Sequence, residues 1–238
     1  MANELLSEGK TKKIFATDNP NEVMIEFKDD ITAGNMAKHD VIAGKGKINA
    51  DITENLFKLM EANGISTHFI KRVDDTHVLA KRLSMYPLEA VCRNIAAGSL
   101  LRRIPLFKQG EVLEPPIVEF FYKSDEMGDP LLNTSHIETL GIATRDEIKD
   151  MEEKLRKING VLREYLSKKG LILVDFKVEF GRDSKGEIVL GDELNGDSMR
   201  VWRASDKKIL DKDVYRKGGK IEELKAAYEE LSRVLLGD

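Results

Sequence analysis

The sequence has a single cysteine, Cys92, so no disulfide can form within the chain, and a reducing compartment is expected. Its longest apolar runs fall far short of a membrane span. The opening MANELLSEGK is acidic and poor in apolar residues, unlike a secretory signal. Charge is balanced, with a net value of −4, so nothing draws the chain as a whole toward nucleic acid. No basic stripe with interleaved aromatics appears either. The four histidines, His39, His68, His77 and His136, lack metal-ligand spacing, which argues against zinc. No repeat, low-complexity tract or long linker divides the 238 residues. What remains is an ordinary globular composition, 41% hydrophobic and 34% charged, in which anion binding must come from local clusters.

The densest cluster is the stretch Leu171 to Arg203. An apolar run, Leu171 to Val174, leads into strict alternation. Asp175, Lys177 and Glu179 fall on one face, Phe176, Val178 and Phe180 on the other. Gly181 to Gly186 is turn chemistry, and Glu187 to Glu193 reads as a returning strand. A loop of Asp183 to Gly186 sets Arg182 opposite Glu187. Lys177 then faces Asp192, with Glu179 diagonal to Asp192 on the same face. Diagonal neighbours lie about 7–8 Å apart, a span over which two carboxylates can hold Mg²⁺ against a phosphate. The same alternation also suits a solvated hairpin face. A register slip of one residue would turn Asp192 away and present Glu193.

Upstream, the runs Lys13 to Ala16 and Val23 to Phe27 flank a turn signal, Thr17 to Asn21. Ahead of them, Gly9-Lys10-Thr11-Lys12 resembles a P-loop but fails it, because Glu4 stands where the first glycine belongs. On a strand, Lys10 and Lys12 would point the same way and could cover polyphosphate; an exposed basic edge has the same pattern. Ile31 to Lys47 is rich in glycine and small residues and reads as a binding loop or a connection. Asp51 to Glu61 is helical, ending at Asn63-Gly64. Thr67 to Val73 and His77 to Leu83 read as strands, with Lys81 near the end of the second and Met85 in an apolar hinge.

Leu88 to Ser99 reads as a strand carrying Glu89 and Arg93 that runs into a helix at Ser99. Free N–H groups there, with the serine hydroxyl and an arginine, suit a phosphate, as they also suit a plain cap. Cys92 in that strand belongs to the core. Glu114-Pro115-Pro116 breaks the chain before a strand, Ile117 to Tyr122. The loop Asp125 to Asn133 could bring Asp129 into a cleft. Helical periodicity marks 143–169 and 219–236.

Two long motifs then point to a family. They are Pro87-Leu88-Glu89-Ala90-Val91-Cys92-Arg93-Asn94-Ile95-Ala96-Ala97-Gly98-Ser99 and Leu173-Val174-Asp175-Phe176-Lys177-Val178-Glu179-Phe180-Gly181. Gly9 to Lys12, Gly191-Asp192-Glu193 and Asp197 to Trp202 support them. The chain resembles, essentially end to end, the SAICAR synthetase (phosphoribosylaminoimidazole-succinocarboxamide synthase) family. The resemblance implies an α+β fold of two lobes, related to ATP-grasp folds, with antiparallel sheets flanked by helices. Residues 1–84 would form a mostly β lobe with one helix over the ATP phosphates; 85–238 would carry the metal and ribonucleotide sites.

It also implies ligation of L-aspartate to carboxyaminoimidazole ribonucleotide (CAIR), with ATP and Mg²⁺, by a cytoplasmic homo-oligomer, a dimer being favoured. Lys10, Lys12 and Lys81 would hold ATP phosphates, with Met85 near the adenine, and Glu179 and Asp192 would bind Mg²⁺. Arg93, Ser99 and Arg200 would grip the ribonucleotide phosphate beside Glu89. Asp129, Asp175 and Lys177 match cleft positions without a fixed role. Three residues depart from the family pattern: Cys92, Asn35 and Arg203. Two other readings compete: a small-molecule kinase of related fold, and a nucleotide-sensing module without catalysis.

Overall fold

The computed structural model describes residues 4–33 and 38–237. Its first sheet comes wholly from the early chain. Strands β1 (Leu5–Glu8), β2 (Lys12–Ala16), β3 (Glu22–Phe27), β6 (Phe69–Arg72) and β7 (His77–Lys81) stand in the order β1-β2-β3-β7-β6, all antiparallel. The alternation of β3 explains its place: Val23, Ile25 and Phe27 are buried and the residues between them are half-buried. Gly9 to Thr11 form the turn of the β1–β2 hairpin, closed by Gly9 N–H donating to Lys12 O at 2.8 Å. Lys10 therefore sits in a turn rather than beside Lys12 on a strand.

The glycine-rich stretch is not one loop. Among its described residues, β4 (Asp30–Ala33) and β5 (Lys38–Val41) form a small hairpin, and α1 (Lys45–Ala62) begins at once after it. Asn35 lies outside the described residues. The cap of α1 is remote in sequence. Asp29 accepts Gly44 N–H at 3.2 Å and Gly46 N–H at 2.8 Å, satisfying donors that a local side chain would otherwise take. Gly46 is needed for contact: a Cβ there would stand 2.4 Å from Phe27 O.

The second sheet is built around β12 (Leu171–Arg182). Strand order is β11-β10-β9-β12-β13, from β11 (Leu131–Leu132), β10 (Val112–Tyr122), β9 (Leu88–Ile95) and β13 (Ile188–Gly191). Two further strands, β8 (Ser84–Met85) and β14 (Met199–Arg203), also pair with β12. Strand β10 runs through Pro115 and Pro116 instead of starting after them; its pairing with β9 shifts between Val112 and Ile117, which accommodates prolines without ladder donors. The hinge around Met85 is likewise a paired strand, with Met85 opposite Gly181.

Helix α4 (Arg145–Lys168) opens with a capping box between Thr144 and Glu147. It buries Ile148, Met151, Leu155, Ile158, Leu162 and Leu166, the expected stripe. It covers the face of β12 that carries Phe176, Val178 and Phe180, and one apolar core runs from β3 and α1 through β12 to α4. Helix α6 (Ile221–Leu236) packs on α1. Short helices α2 (Ser99–Arg103), α3 (Thr134–Thr139) and α5 (Asp213–Arg216) complete the fold. The sheets meet where Thr67 forms a parallel bridge to Leu190, with Leu190 N–H donating to Ser66 O and His68 N–H to Leu190 O.

Gly46→Ala should lower stability by roughly 1–3 kcal/mol, the cost of overpacking against a fixed carbonyl. Gly160→Ala, on the exposed face of α4 with open space at its Cβ, should raise it by about 0.5–1 kcal/mol. Urea unfolding of both variants tests the contrast, and equal effects would refute the role given to Gly46.

Candidate active site

The alternation of β12 puts its polar residues on the face opposite the core. Across the sheet, Arg93 of β9 and Arg200 of β14 stand directly opposite Asp175 on its two sides. The geometry follows from this row. Asp175 accepts Arg93 at 2.9 Å and Arg200 at 2.6 Å. Arg93 donates further to Glu119 at 2.7 Å and to Ser99 Oγ at 3.2 Å, and Arg200 donates to Asp213 at 2.9 Å. Gly98 matters here: at φ +60 it starts the approach to α2, and a Cβ would lie 2.4 Å from the Arg200 guanidinium. Arg93, Ser99, Asp175 and Arg200 thus form one cluster on a cavity of about 370 Å³, with Glu89, Lys177, Asp129 and Lys10 also on its wall. Asp129 takes up φ 50 and accepts Ser124 N–H.

Further along β12 lies the second cluster. Lys177 Nζ donates to Glu89 at 3.0 Å and to Glu179 at 3.2 Å, and stands 3.6 Å from Asp192. Lys12 pairs with Asp192 and lies 3.5 Å from Glu193. Burial would raise the Asp192 carboxyl and lower the two ammonium groups. Their mutual attraction overrides it: Asp192 is held below the usual carboxylate range, Lys12 and Lys177 above the usual lysine range. All three are charged at neutral pH.

The β12–β13 register differs from the expectation. Arg182 faces Ile188, not Glu187, and Glu179 faces Gly191, because the turn closes with Asp183 N–H on Glu187 O. A slip of this kind should remove Asp192 from the site. It does not, because Asp192 leaves the strand in the left-handed region at φ 59, which re-aims its side chain to Lys12 and Lys177 while Glu193 also reaches Lys12. Glu179 and Asp192 therefore share one cavity wall by a route other than diagonal pairing.

A third group of residues lines a more apolar recess of about 260 Å³: Ile14, Val23, Ile25, Leu83 and Met85, with Lys81 at its edge and Lys12, Glu179 and Asp192 toward the charged end. Met85 can lie against β12 only because positions 181 and 191 are glycine; a Cβ on either would meet Leu83 or Met85 within 3.2 Å. Lys81 donates to Thr67 O at 2.9 Å, so it stands with Met85 and apart from Lys10, whose partner is Asp125.

Several cavity residues went unnoticed in the sequence. Lys123 lies 2.7 Å from Glu179; Lys212 and Arg216, one helical turn apart, line the cavity of the arginine cluster. Asp197 is held by Lys45 at 2.6 Å, Asn49 at 2.7 Å and Tyr228 at 2.8 Å. The motif Asp197 to Trp202 hinted at Asp197, but nothing local marks Lys123. Arg203 pairs with Asp206 and Glu230 on the surface and lines none of these cavities. Cys92 is buried, its thiol pushed up to about 12 by burial, and is no nucleophile.

Residues 5–234 match the family model for SAICAR synthetase. The chain belongs to the SAICAR synthetase family. The phosphoribosylaminoimidazole-succinocarboxamide synthase of Methanobrevibacter smithii is 48% identical over 235 residues, 99% of this chain and 96% of its own. That of Pyrococcus abyssi is 51% identical over 233 residues, 97% of each chain. Among solved structures, a SAICAR synthetase in complex with ADP superposes with a TM-score of 0.93 at 46% identity, covering 99% of this chain and 98% of its own. The Ehrlichia chaffeensis synthase gives 0.94 at 39% identity over 99% of both. The α+β architecture with antiparallel sheets is thus that of the SAICAR synthetase family.

Of the expected site residues, Arg93, Ser99, Asp175 and Arg200 come together, as do Lys12, Lys177, Glu179 and Asp192, with Glu89 between the groups. Lys81 and Met85 stand at the apolar recess; Lys10 and Asp129 lie on facing turns.

His68, 5% exposed and edge-on to Phe57, borders that recess. Burial and the adjacent Lys12 push its imidazole down to about 4, from an ordinary 6.5. The unfolded chain takes up a proton there that the fold refuses, so stability falls as pH drops below 6.5 and this contribution is gone near 4. The full effect is roughly 3 kcal/mol, at about 1.36 kcal/mol per unit. His68→Gln should make urea-derived stability decline less steeply between pH 7 and pH 4.5; parallel profiles would count against a neutral buried His68.

Proposed function

We propose that this enzyme ligates L-aspartate to the carboxylate of CAIR, with ATP, to give SAICAR, ADP and phosphate in purine biosynthesis. One observation carries the reading beyond family membership: two separate charged clusters lie on one face of β12. Asp175 belongs to the arginine cluster and Glu179 to the lysine cluster, about 13 Å apart along the strand, with Lys177 between them. A ribonucleotide phosphate on Ser99 and Arg200, backed by the buried Arg93, leaves the base end directed toward Lys177. ATP, with adenine against Met85 beside Lys81 and phosphates toward Lys12 and Lys10, meets it there. In this reading, residues 1–84 cover the nucleotide and residues 85–238 carry the ribonucleotide and metal sites.

A carboxylate is a poor acyl donor because oxide would have to leave. Phosphorylation by ATP creates an acyl phosphate, from which the aspartate amine displaces phosphate. The residues here serve such a step by positioning and charge, and no Ser or Cys nucleophile is required. Lys12 and Lys177 face the phosphoryl oxygens as charge builds, and Glu89 and Glu179 keep Lys177 aimed.

The donor set fits Mg²⁺. Among the described residues, no cluster of three or more His, Cys, Asp or Glu could hold a metal by itself. Glu179 and Asp192 nevertheless offer hard oxygens around one point where a cation, the Lys177 ammonium, already lies. Two carboxylates completed by phosphate oxygens and water are the usual set for Mg²⁺. When bound, the ion would neutralise charge on the transferring phosphoryl group. Lys212 and Arg216 form a further cationic wall suited to the aspartate carboxylates. No described helix is long and apolar enough to cross a membrane. A cytoplasmic homodimer belongs to the same proposal.

ADP release from ATP and CAIR should depend on L-aspartate; full release without it would favour the kinase reading. Glu179→Gln should lower kcat about a hundredfold or more at a temperature where the variant remains folded. Near-normal activity with Mg²⁺ would sink the metal assignment.

A further inference from the structure

Lys123 follows the last residue of β10, and its N–H donates to Pro87 O at 3.0 Å, so its backbone is fixed at the cavity rim. Its ammonium spans the Glu179 carboxylate, 2.7 Å from Oε1 and 2.8 Å from Oε2. The exposures of the two side chains differ sharply, 3% for Glu179 and 52% for Lys123. Lys177 holds Glu179 from the floor of the site, where Glu89 keeps it. Lys123 comes from the solvent side, and Glu179 is its one ion-pair partner among the described residues. It borders both the apolar recess and the cavity that contains Gly9, Lys10 and Lys12.

Glu179 cannot give the same oxygens to Lys123 and to a divalent cation. A cation entering there releases an ammonium on a long, exposed side chain into the cavity that Lys10 and Lys12 line, where the proposed reading puts the nucleotide's phosphates. We propose that Lys123 is an exchangeable counter-ion and a further catalytic residue, which leaves Glu179 for the terminal phosphate oxygens of the nucleotide when a divalent cation takes its place. The proposal rests on the metal reading above. Its physical content is a trade. Lys123 weakens binding of a bare divalent cation, because it competes for Glu179, and strengthens binding of the metal–nucleotide pair, because it gains a phosphate. Both effects come from one ammonium, so they must vanish together. A lysine that merely supported the fold would move both affinities the same way.

The test uses the full chain with Mn²⁺ as the probe of the cation site. Mn²⁺ binding is followed by electron paramagnetic resonance without nucleotide, and KM for MgATP is measured in parallel. Lys123→Gln should bind Mn²⁺ at least about fivefold more tightly than the parent, yet show a KM for MgATP raised about tenfold and a lower kcat. Lys123→Arg, which keeps the charge, should restore most of the MgATP affinity. Position 123 is exposed, and an unchanged Tm checks the fold. If Lys123→Gln leaves both affinities unaltered, or weakens both, the exchange is refuted. Glu179→Gln separates the premises. Loss of Mn²⁺ binding in that variant supports the metal site, whatever Lys123 does. Parent-like Mn²⁺ binding removes the metal site and the exchange with it.

Discussion

The structure depends on the mutual neutralisation of charges that a single strand carries into the interior. Glu179 and Asp175 are 3% and 4% exposed, and burying a charge that deeply is costly unless it is paired. Each has at least two cationic neighbours, Lys123 and Lys177 for one, Arg93 and Arg200 for the other. Removing a fully buried member, such as Arg93 beside Asp175, typically costs about 3–5 kcal/mol, because it leaves a charge without its partner. The same lattice explains how the site can serve chemistry. Its members are held by ions rather than by packing alone, so an incoming phosphate or metal can replace a partner without exposing a bare charge. The opposite face of β12, with Phe176, Val178 and Phe180 in the core, keeps the strand in place while this happens.

Much of this was legible because strand periodicity acts locally. The alternation of Asp175, Lys177 and Glu179 needs no tertiary information, and neither does the stripe of α4 or the serine that opens α2. What was hidden depends on contacts distant in sequence or on backbone geometry. The cap of α1 comes from Asp29, fifteen residues before Gly44, so Gly44-Lys45-Gly46 looked like loop where a helix begins. Lys123 follows a strand with no motif around it, and only the fold brings it to Glu179. The hairpin register differs by one residue from the sequence expectation, since turn composition does not distinguish a loop closed by Asp183 and Glu187 from one closed by Arg182 and Glu187. The side chains nevertheless reached the expected neighbours, for a backbone reason that alternation cannot encode.

The two sheets have to be joined for the site to exist. Lys12 belongs to the first, Glu179 to the second, and Asp192 lies just past β13, next to the segment that ties the sheets together. The Thr67–Leu190 bridge, with its hydrogen bonds from Leu190 to Ser66 and from His68 to Leu190, fixes the end of β13 against the first sheet. Lys81 N–H donates to His68 O and its ammonium to Thr67 O, so the same crossing also fixes the edge of the apolar recess. In the proposed reading, a nucleotide lying there would contact both sheets, with its base near Met85 and its phosphates near Lys12. Interlocking at the crossing sets the distance between the apolar recess and the charged cluster.

The left-handed residue at 192 shows how geometry and charge constrain each other. A non-glycine residue in that region costs about 1–2 kcal/mol, and aspartate bears it better than most because its short polar side chain can bond locally. Glycine would remove the strain but also the carboxylate. In an extended strand the carboxylate would survive but, with Glu179 opposite Gly191, would point to the other face. Only a polar residue tolerant of positive φ, followed by Glu193, lets the chain leave β13 and still present an acid to Lys12 and Lys177. Asp192 pairs with Lys12 and lies 3.6 Å from Lys177, and these two ammonium groups hold its carboxyl below the usual carboxylate range. The backbone distortion is therefore retained for the charge it places, and a register that alternation alone would judge unproductive becomes the one that completes the site.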